Sequence, residues 1–247
     1  MMIKISIIMA TLNSERFVYQ AIKSILIQEI EELEIIVVDG GSTDGTIDII
    51  NKFQSNKIII IQGRDSGIAE AWNKGVKIAR GELIGMLNSD DFYDVGVLKE
   101  VINQLEGLDG PVIGYGNVTM IDASGNVYKE ISGKNRSKLG LLNGFGFKHT
   151  SVIINRKAYD KVGPFDQKIR VAIDTDWLLR CISKNIKFKK IRTHVYMRQG
   201  GLSEINKYTG MGEYADALLR NGYNERHMIL FYMFRVMGHM RKLIKYK

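Results

Sequence analysis

The feature that most constrains this chain is a unit that recurs through its first half: a short apolar run, a polar cluster, then a stretch with helical spacing. Residues 3–9 are mostly apolar and β-branched, as a buried strand requires, and 33–38, 57–61 and 82–87 repeat the pattern. Between and after them, residues 14–28, 46–53, 67–79 and 95–105 read as helices. Ser14 is placed to cap the first, with Phe17, Ala21, Ile22 and Ile25 on one face. Ile68, Ala71, Trp72, Val76 and Ala79 form the matching stripe of the third. Strands alternating with helices of this length predict an α/β fold: a Rossmann-like, mostly parallel central sheet with flanking helices and right-handed crossovers.

Ligands of such sheets collect beyond the carboxyl ends of the strands. The polar clusters fall at those ends. Thr11 and Asn13 follow the first strand, Asp39 the second, Arg64 and Asp65 the third, and Asp90 and Asp91 the fourth. Turn chemistry alone does not account for polar groups at every one of these ends.

The second half reads differently. Residues 112–121 and 126–131 predict a hairpin about the turn at 122–125, the core of a small antiparallel region. A strand over 150–155, a short helix over 156–161, a helix over 174–183 and a strand over 187–197 follow. In the second of these helices Trp177, Leu178 and Cys181 face inward. Helices return over 205–220 and from 226 to the end. The organisation is residues 1–110, then 111–204 within the same compact unit, then a helical segment, 205–247.

Composition narrows the function classes. A length of 247 residues allows one large domain or two small ones. Cys181, the single cysteine, excludes an intramolecular disulfide framework and a cysteine-based zinc cluster. The start lacks the basic region of a signal peptide, and no uncharged apolar run reaches the roughly 18 residues of a spanning helix. The expectation is a cytosolic chain, or one lying against the cytosolic face of a membrane. The net charge of +8 is concentrated: residues 177–203 carry 7 basic groups and no acid, residues 226–247 carry 6 and no acid, and the remainder is net negative. Nucleic-acid binders show such blocks, as do proteins that meet a pyrophosphate at one site and anionic lipid at another. A nucleic-acid reading leaves the strand-end clusters unexplained, so no nucleic acid is expected. Any single block also reads as a solvated face.

Several chemistries are missing their groups. The turn after the first strand, Thr11-Leu12-Asn13, has no glycine, which removes the phosphate loop of dinucleotide-binding and P-loop proteins. The same absence argues against a sugar-nucleotide pyrophosphorylase. There is no zincin helix and no Gly-x-Ser-x-Gly elbow, and the 4 histidines are dispersed. What remains is acidic. Asp90 and Asp91 crowd one strand end, where a hard divalent cation shared with substrate phosphates would relieve their repulsion; a helix cap is the other reading. Asp39 sits where an acid reads a nucleoside, or forms an Asx turn into Gly40-Gly41. Asp174 and Asp176 open a helix, where they favour its dipole or supply a general base.

Taken together, these residues resemble the family-2 glycosyltransferases, inverting enzymes of the GT-A fold, over roughly residues 3–203. Ser6-Ile7-Ile8-Met9-Ala10-Thr11-Leu12-Asn13 is similar to the family opening, and Val37-Val38-Asp39-Gly40-Gly41-Ser42-Thr43-Asp44-Gly45-Thr46 is its most diagnostic run. Arg64-Asp65-Ser66-Gly67, Ala71-Trp72-Asn73-Lys74-Gly75 and Ala79-Arg80-Gly81-Glu82 continue in order, and Leu87-Asn88-Ser89-Asp90-Asp91 resembles the metal-binding segment. Val162-Gly163-Pro164-Phe165-Asp166 and Asp174-Thr175-Asp176-Trp177-Leu178-Leu179-Arg180 resemble the segment carrying the catalytic base. Arg198 with Gly200-Gly201-Leu202-Ser203 resembles the loop near the leaving diphosphate. Bacterial members that build O-antigen, capsule or exopolysaccharide look nearest.

The resemblance implies a donor half, residues 1–110, and an acceptor half, 111–204. It implies a nucleoside-diphosphate sugar, most simply a UDP-sugar, held by Thr11, Asn13, Asp39, Arg64, Asp65 and Asp90. Asp91, with Asp90, would ligate Mg²⁺ or Mn²⁺, and Arg198 would face the diphosphate. Asp174 would take the proton of an acceptor hydroxyl, on a glycan or a polyprenyl-diphosphate-linked glycan, in one inverting displacement. His149, Asp176 and Trp177 stand on the acceptor side, with a structural role as the other reading of His149. Two positions depart from the family pattern: Asn88 where many relatives carry Asp, and Ile173 where many carry Glu. A non-catalytic, nucleotide-binding or scaffolding relative is the competing reading. Residues 227–247 mix apolar and basic groups. They suit the inner-leaflet surface of a membrane, or a terminal helix packed on this domain or on a second subunit. Oligomeric state is open.

Overall fold

The computed structural model describes residues 2–201 and 205–245, with the backbone alone from 238 onward. Leu202 and Ser203 of the loop expected near the diphosphate, and the side chains of the basic tail, lie outside what is described. The strands are β1 (Ile5–Thr11), β2 (Leu33–Asp39), β3 (Ile58–Gln62), β4 (Leu83–Met86), β5 (Phe92–Tyr93), β6 (Val112–Ile121), β7 (Val127–Ile131), β8 (Ile153–Asn155) and β9 (Lys187–Arg198). The helices are α1 (Val18–Leu26), α2 (Thr46–Asn51), α3 (Ile68–Ile78), α4 (Val97–Leu105), α5 (Arg156–Val162), α6 (Ile173–Ser183), α7 (Lys207–Arg220) and α8 (Glu225–Lys245).

One nine-stranded sheet runs in the order β3-β2-β1-β4-β8-β6-β9-β5, with β7 on β6. From β3 to β4 all pairing is parallel, as the alternating units require. Beyond β4 the sheet is mixed: β8 is antiparallel to β4 and β6, β9 runs parallel to β6, and β5 is antiparallel to β9.

The central strands are buried on both faces, and alternate residues enter opposite layers. Ile8, Ile36, Val38, Ile84 and Met86 pack with Trp72 and Val76 of α3 and with α5, α6 and α7. Ile7, Met9, Ile35, Val37 and Leu83 pack with Val18, Ala21, Ile22 and Ile25 of α1 and with α4.

Local departures from the sequence reading bear on the site. α1 starts at Val18, and its N-cap residue Phe17 makes no side-chain cap. Ser14 is therefore not the cap; its Oγ lies 2.7 Å from that of Ser89, tying the loop after β1 to the loop after β4. The stretch expected as a strand from 150 opens with a 3₁₀ turn, His149–Ser151, and only Ile153–Asn155 is extended. β5 was too short for periodicity to mark. Its pairing with Val195 and Tyr196 brings the end of β9 beside Asp91.

At the amino ends of the strands, Glu34 is buried but fully answered. It accepts from Ser6 Oγ at 2.7 Å, from Arg80 N–H at 2.6 Å and from Arg80 Nε at 2.8 Å. Burial opposes its charge, yet these donors hold its pKa below the ordinary value.

Where β6 meets β9 the register shifts between Tyr115 and Asn117, and a Cβ on Gly116 would fall 2.4 Å from the Thr193 carbonyl oxygen. Gly116→Ala is expected to destabilise the protein by about 1–3 kcal/mol, read from the urea midpoint.

Candidate active site

The carboxyl ends of β1, β2 and β3 lie side by side, with Thr11 paired to Asp39 and Asp39 to Gln62. The loops that follow interlock. Asp39 is buried and accepts from Gly41 N–H (3.1 Å) and Ser42 N–H (3.0 Å) and from Ser42 Oγ (2.5 Å). It shapes its own loop, as the Asx-turn reading has it. Asn13, at φ 49°, accepts from Thr43 N–H at 2.8 Å and donates its own N–H to Ser42 Oγ at 2.9 Å. Asp65 stands over Gly40, where a Cβ would meet its carboxylate at 3.1 Å; Arg64 is exposed beside Gly41. The Thr11 hydroxyl is buried here without a hydrogen-bond partner among the described residues. These residues form a shelf beside the main cleft rather than its lining.

That cleft, about 670 Å³, is lined by Trp72, Asn88, Asp90, Asp91, His149 and Asp174, with Arg198 at one side and residues of α7 and α8 at the other. Asp91 is 1 % exposed. Its Oδ1 accepts the Arg198 backbone N–H at 2.9 Å and its Oδ2 the Asn88 amide at 3.3 Å. Burial first, and the neighbouring Asp90 charge second, push its pKa to about 7. Asp90 is also raised, chiefly by burial, with the Arg198 and His149 charges pulling the other way. Among the described residues no Lys or Arg side chain pairs with either. Asn88 donates where an Asp would place a further negative charge, so this departure keeps the cluster at two carboxylates.

Asp174, on the first turn of α6, faces His149: Nδ1 lies 3.3 Å from Asp174 Oδ2, and Nε2 lies 3.4 Å from Asn88 Nδ2. The imidazole packs on Trp72, with ring centroids 5.7 Å apart. Burial disfavours both charges, but the hydrogen bond and mutual attraction outweigh it, so His149 is raised and Asp174 lowered. Thr175 N–H donates to Asp174 at 2.7 Å. Glu213 of α7 fixes the approach to α6 by accepting the N–H groups of Arg170, Val171 and Ala172 at 2.7–2.8 Å. Ile173 is buried in the core beneath.

Three sequence expectations need correction. Asp176 does not reach the cleft: its buried carboxylate accepts Arg180 Nε at 2.9 Å, pairs with Arg220 at 3.1 Å, and borders a separate cavity. Trp177 is 1 % exposed and donates to the Gly163 carbonyl at 2.8 Å, so it takes the inward place its helical spacing predicts and not one on the acceptor side. One helical turn carries Asp174 to the cleft and these two away from it. Arg198 does border the cleft, but its guanidinium turns toward Gln20 Oε1 (2.6 Å) and the Asp122 carbonyl (3.3 Å), over the Phe17 ring at 4.4 Å. The reading along the chain missed Arg170, Lys207 and Arg235 as lining residues. The signal for Arg235 was a lone charge inside the apolar run of the last helix.

The His149–Asp174 pair has a testable pH signature. A raised histidine contributes stability that is present below its unfolded pKa of about 6.5 and lost as pH rises through its folded value. The lowered Asp174 contributes above its unfolded value, and loses it only as pH falls through the folded one. The melting-temperature deficit of His149→Gln against wild type is therefore expected to be larger at pH 6 than at pH 9.

Comparison with known proteins gives a consistent result. The family model described as Glycosyl transferase family 2 matches residues 6–163. A PGL/p-HBAD biosynthesis glycosyltransferase of Mycobacterium bovis is 30% identical over 212 residues, 80% of this chain and 78% of that protein. The UDP-Glc:alpha-D-GlcNAc-diphosphoundecaprenol beta-1,3-glucosyltransferase WfaP of Escherichia coli is 29% identical, covering 98% of this chain and 97% of its own. Among solved structures, TarS 1–349 of S. aureus in complex with UDP-GlcNAc superposes with a TM-score of 0.67 at 21% identity, over 91% of this chain and 69% of that one. At that identity the likeness speaks for the fold, which is the GT-A fold.

Proposed function

The chain belongs to glycosyl transferase family 2 and moves sugars in glycan synthesis; from that premise we propose that it is a cation-dependent, inverting enzyme that takes a UDP-sugar to a hydroxyl of a glycan or lipid-linked acceptor. The observation that carries this reading is the cleft in which the Asp174–His149 pair faces the crowded Asp90 and Asp91.

The donor set suits a divalent cation. Two carboxylates share one end of a strand, and Asp91 is buried with its charge disfavoured. Asp91 and Asp90 would hold a hard divalent cation. It would supply charge neutralisation for the departing nucleoside diphosphate. The strand-end shelf of residues 1–110 is the donor side: Thr11, with its free hydroxyl, Asn13, Asp39, Arg64 and Asp65 border the nucleoside. Arg198, held by Gln20 and Phe17, adds positive potential beside Asp91.

Asp174 is the base. Its lowered pKa keeps it ionised at neutral pH, and about a third of its side chain is open to the cleft. It receives the proton of the acceptor hydroxyl as that oxygen attacks the anomeric carbon, and the bond to the diphosphate breaks in the same displacement. His149 orients the carboxylate. Inversion needs no covalent intermediate, so no nucleophilic side chain is assigned. WfaP is named for UDP-Glc and a diphosphoundecaprenol-linked acceptor, and TarS was solved with UDP-GlcNAc; both support the donor and acceptor classes proposed.

The last helix supports a seat at the inner leaflet. No helix among the described residues is long and apolar enough to cross a membrane. α8 instead buries Phe231 in the domain and exposes Ile229, Tyr232, Met233 and Val236 along its length. Such a helix, with a basic tail, lies in the membrane interface. Replacing Ile229 and Met233 together by Ser is expected to move the protein from the membrane pellet to the supernatant, read by immunoblot of fractions; unchanged partitioning rejects this seat.

Asp174→Asn is expected to lower kcat by about 10²–10⁴ while nucleotide binding persists. Asp91→Asn is expected to abolish the cation-dependent rise in melting temperature that UDP produces. NMR of the product should read the inverted anomer, and a retained configuration would refute the mechanism.

A further inference from the structure

Arg235 of α8 lines the main cleft yet has no part in the chemistry above. Its guanidinium lies over the rings of Tyr214 (5.3 Å) and Phe231 (5.0 Å), and its buried Nε has no hydrogen-bond partner among the described residues. No acidic side chain pairs with it among the described residues. Burial alone lowers its pKa. Arg235 is half-buried, so its guanidinium is partly desolvated over the two rings, and an anion would offset that cost.

Its neighbours at the same wall have the same sign. Lys207, at the start of α7, is exposed and without an ion pair among the described residues; the Arg170 guanidinium donates to the Ser66 carbonyl and has no ion pair among them. The acids that line the cleft are Asp90, Asp91 and Asp174, while the one acid of α7 near this wall, Glu213, is consumed by backbone N–H groups. In the reading above, this positive wall falls on the Asp174 side of the cleft. Tyr214, which carries Arg235, lies within the field of Asp174, whereas Arg198 sits at the far side against Phe17 and Gln20. The exposed apolar stripe of α8 begins at the same level, since Val236 both lines the cleft and is exposed.

Resting on the reading of this cleft as a glycosyltransferase site, we propose that Arg235, with Lys207 and Arg170, forms an anion subsite for a phosphate or diphosphate carried by the acceptor. Guanidinium forks take phosphate oxygens by paired, charge-assisted hydrogen bonds, and the terminal Nη groups of Arg235 have no ion pair or hydrogen-bond partner among the described residues. The acceptor then lies with its phosphate under α8, its hydrocarbon toward the apolar stripe and its sugar toward Asp174.

The test is isothermal titration of the full chain with geranyl diphosphate, inorganic pyrophosphate and geraniol, each with and without saturating UDP and Mg²⁺. Wild type is expected to bind geranyl diphosphate in the presence of UDP. Arg235→Gln should weaken that binding about tenfold or more, Arg235→Lys should restore part of it, and UDP affinity should not change. Lys207→Gln, at an exposed position, should weaken it in the same direction and serves if Arg235→Gln fails to fold. Pyrophosphate binding that depends equally on Arg235 points to the phosphate alone as the recognised group; tighter geranyl diphosphate points to a lipid-borne one. Unchanged binding in both Gln variants, displacement of geranyl diphosphate by UDP, or equal binding of geraniol overturns the subsite. Failure of UDP to bind would count against the proposed donor instead, and the titrations without UDP would still read the Arg235 dependence.

Discussion

The parallel pairing of β1 with β2 on one side and β4 on the other is the constraint from which the site follows. Parallel strands start and stop together, so the register of Ile5 with both Leu33 and Leu83 sets every downstream loop at one edge. Loops that leave this edge must satisfy their polar groups against one another, and they do: Ser14 meets Ser89, Asn13 meets Ser42 and Thr43, and Asp65 stands over Gly40. The second half of the sheet continues this edge in a different sense. Through β5 and β9 it returns Arg198 to Asp91, and through the turn before β8 it brings His149 to Asp174.

The two ends of these strands treat buried carboxylates in opposite ways. Glu34, at the amino ends, has an arginine, a hydroxyl and a backbone N–H, and its charge is favoured. Asp91, at the carboxyl ends, has a backbone N–H, an amide and another carboxylate for a neighbour, and its charge is disfavoured. The first arrangement holds a fold together. The second is costly in the protein by itself, and the cation proposed for Asp91 and Asp90 would relieve that cost. The same logic separates Asp176, closed between Arg180 and Arg220, from Asp174, paired with a histidine and open to the cleft.

The last helix joins packing to surface. Phe231 is buried against the domain, Arg235 reaches the cleft, and Ile229, Met233 and Val236 remain exposed. Along the chain this segment reads equally as a membrane-surface helix or as a packed terminal helix, and it has features of both. A helix has enough faces for each, and periodicity alone does not say which one is covered.

How much was legible beforehand depends on the range of the interactions involved. The alternation of strands and helices, the parallel half of the sheet, and the placing of Thr11, Asp39, Asp65, Asp90 and Asp91 at strand ends were all readable, because each rests on local periodicity and turn chemistry. Spacing marks Asp174 and Asp176 alike as acids opening a helix, and only the resemblance singles out Asp174. What the tertiary structure decided is of longer range: that His149 faces Asp174, that Asp176 is closed off by Arg180 and Arg220, that Ser14 bridges two loops rather than capping α1, and that Arg235 enters the cleft from the far end of the chain. Those contacts join residues 21 to 75 positions apart or depend on one turn of helical phase. Spacing along a sequence carries the period of a helix or strand, but not which neighbour the rest of the fold will press against it.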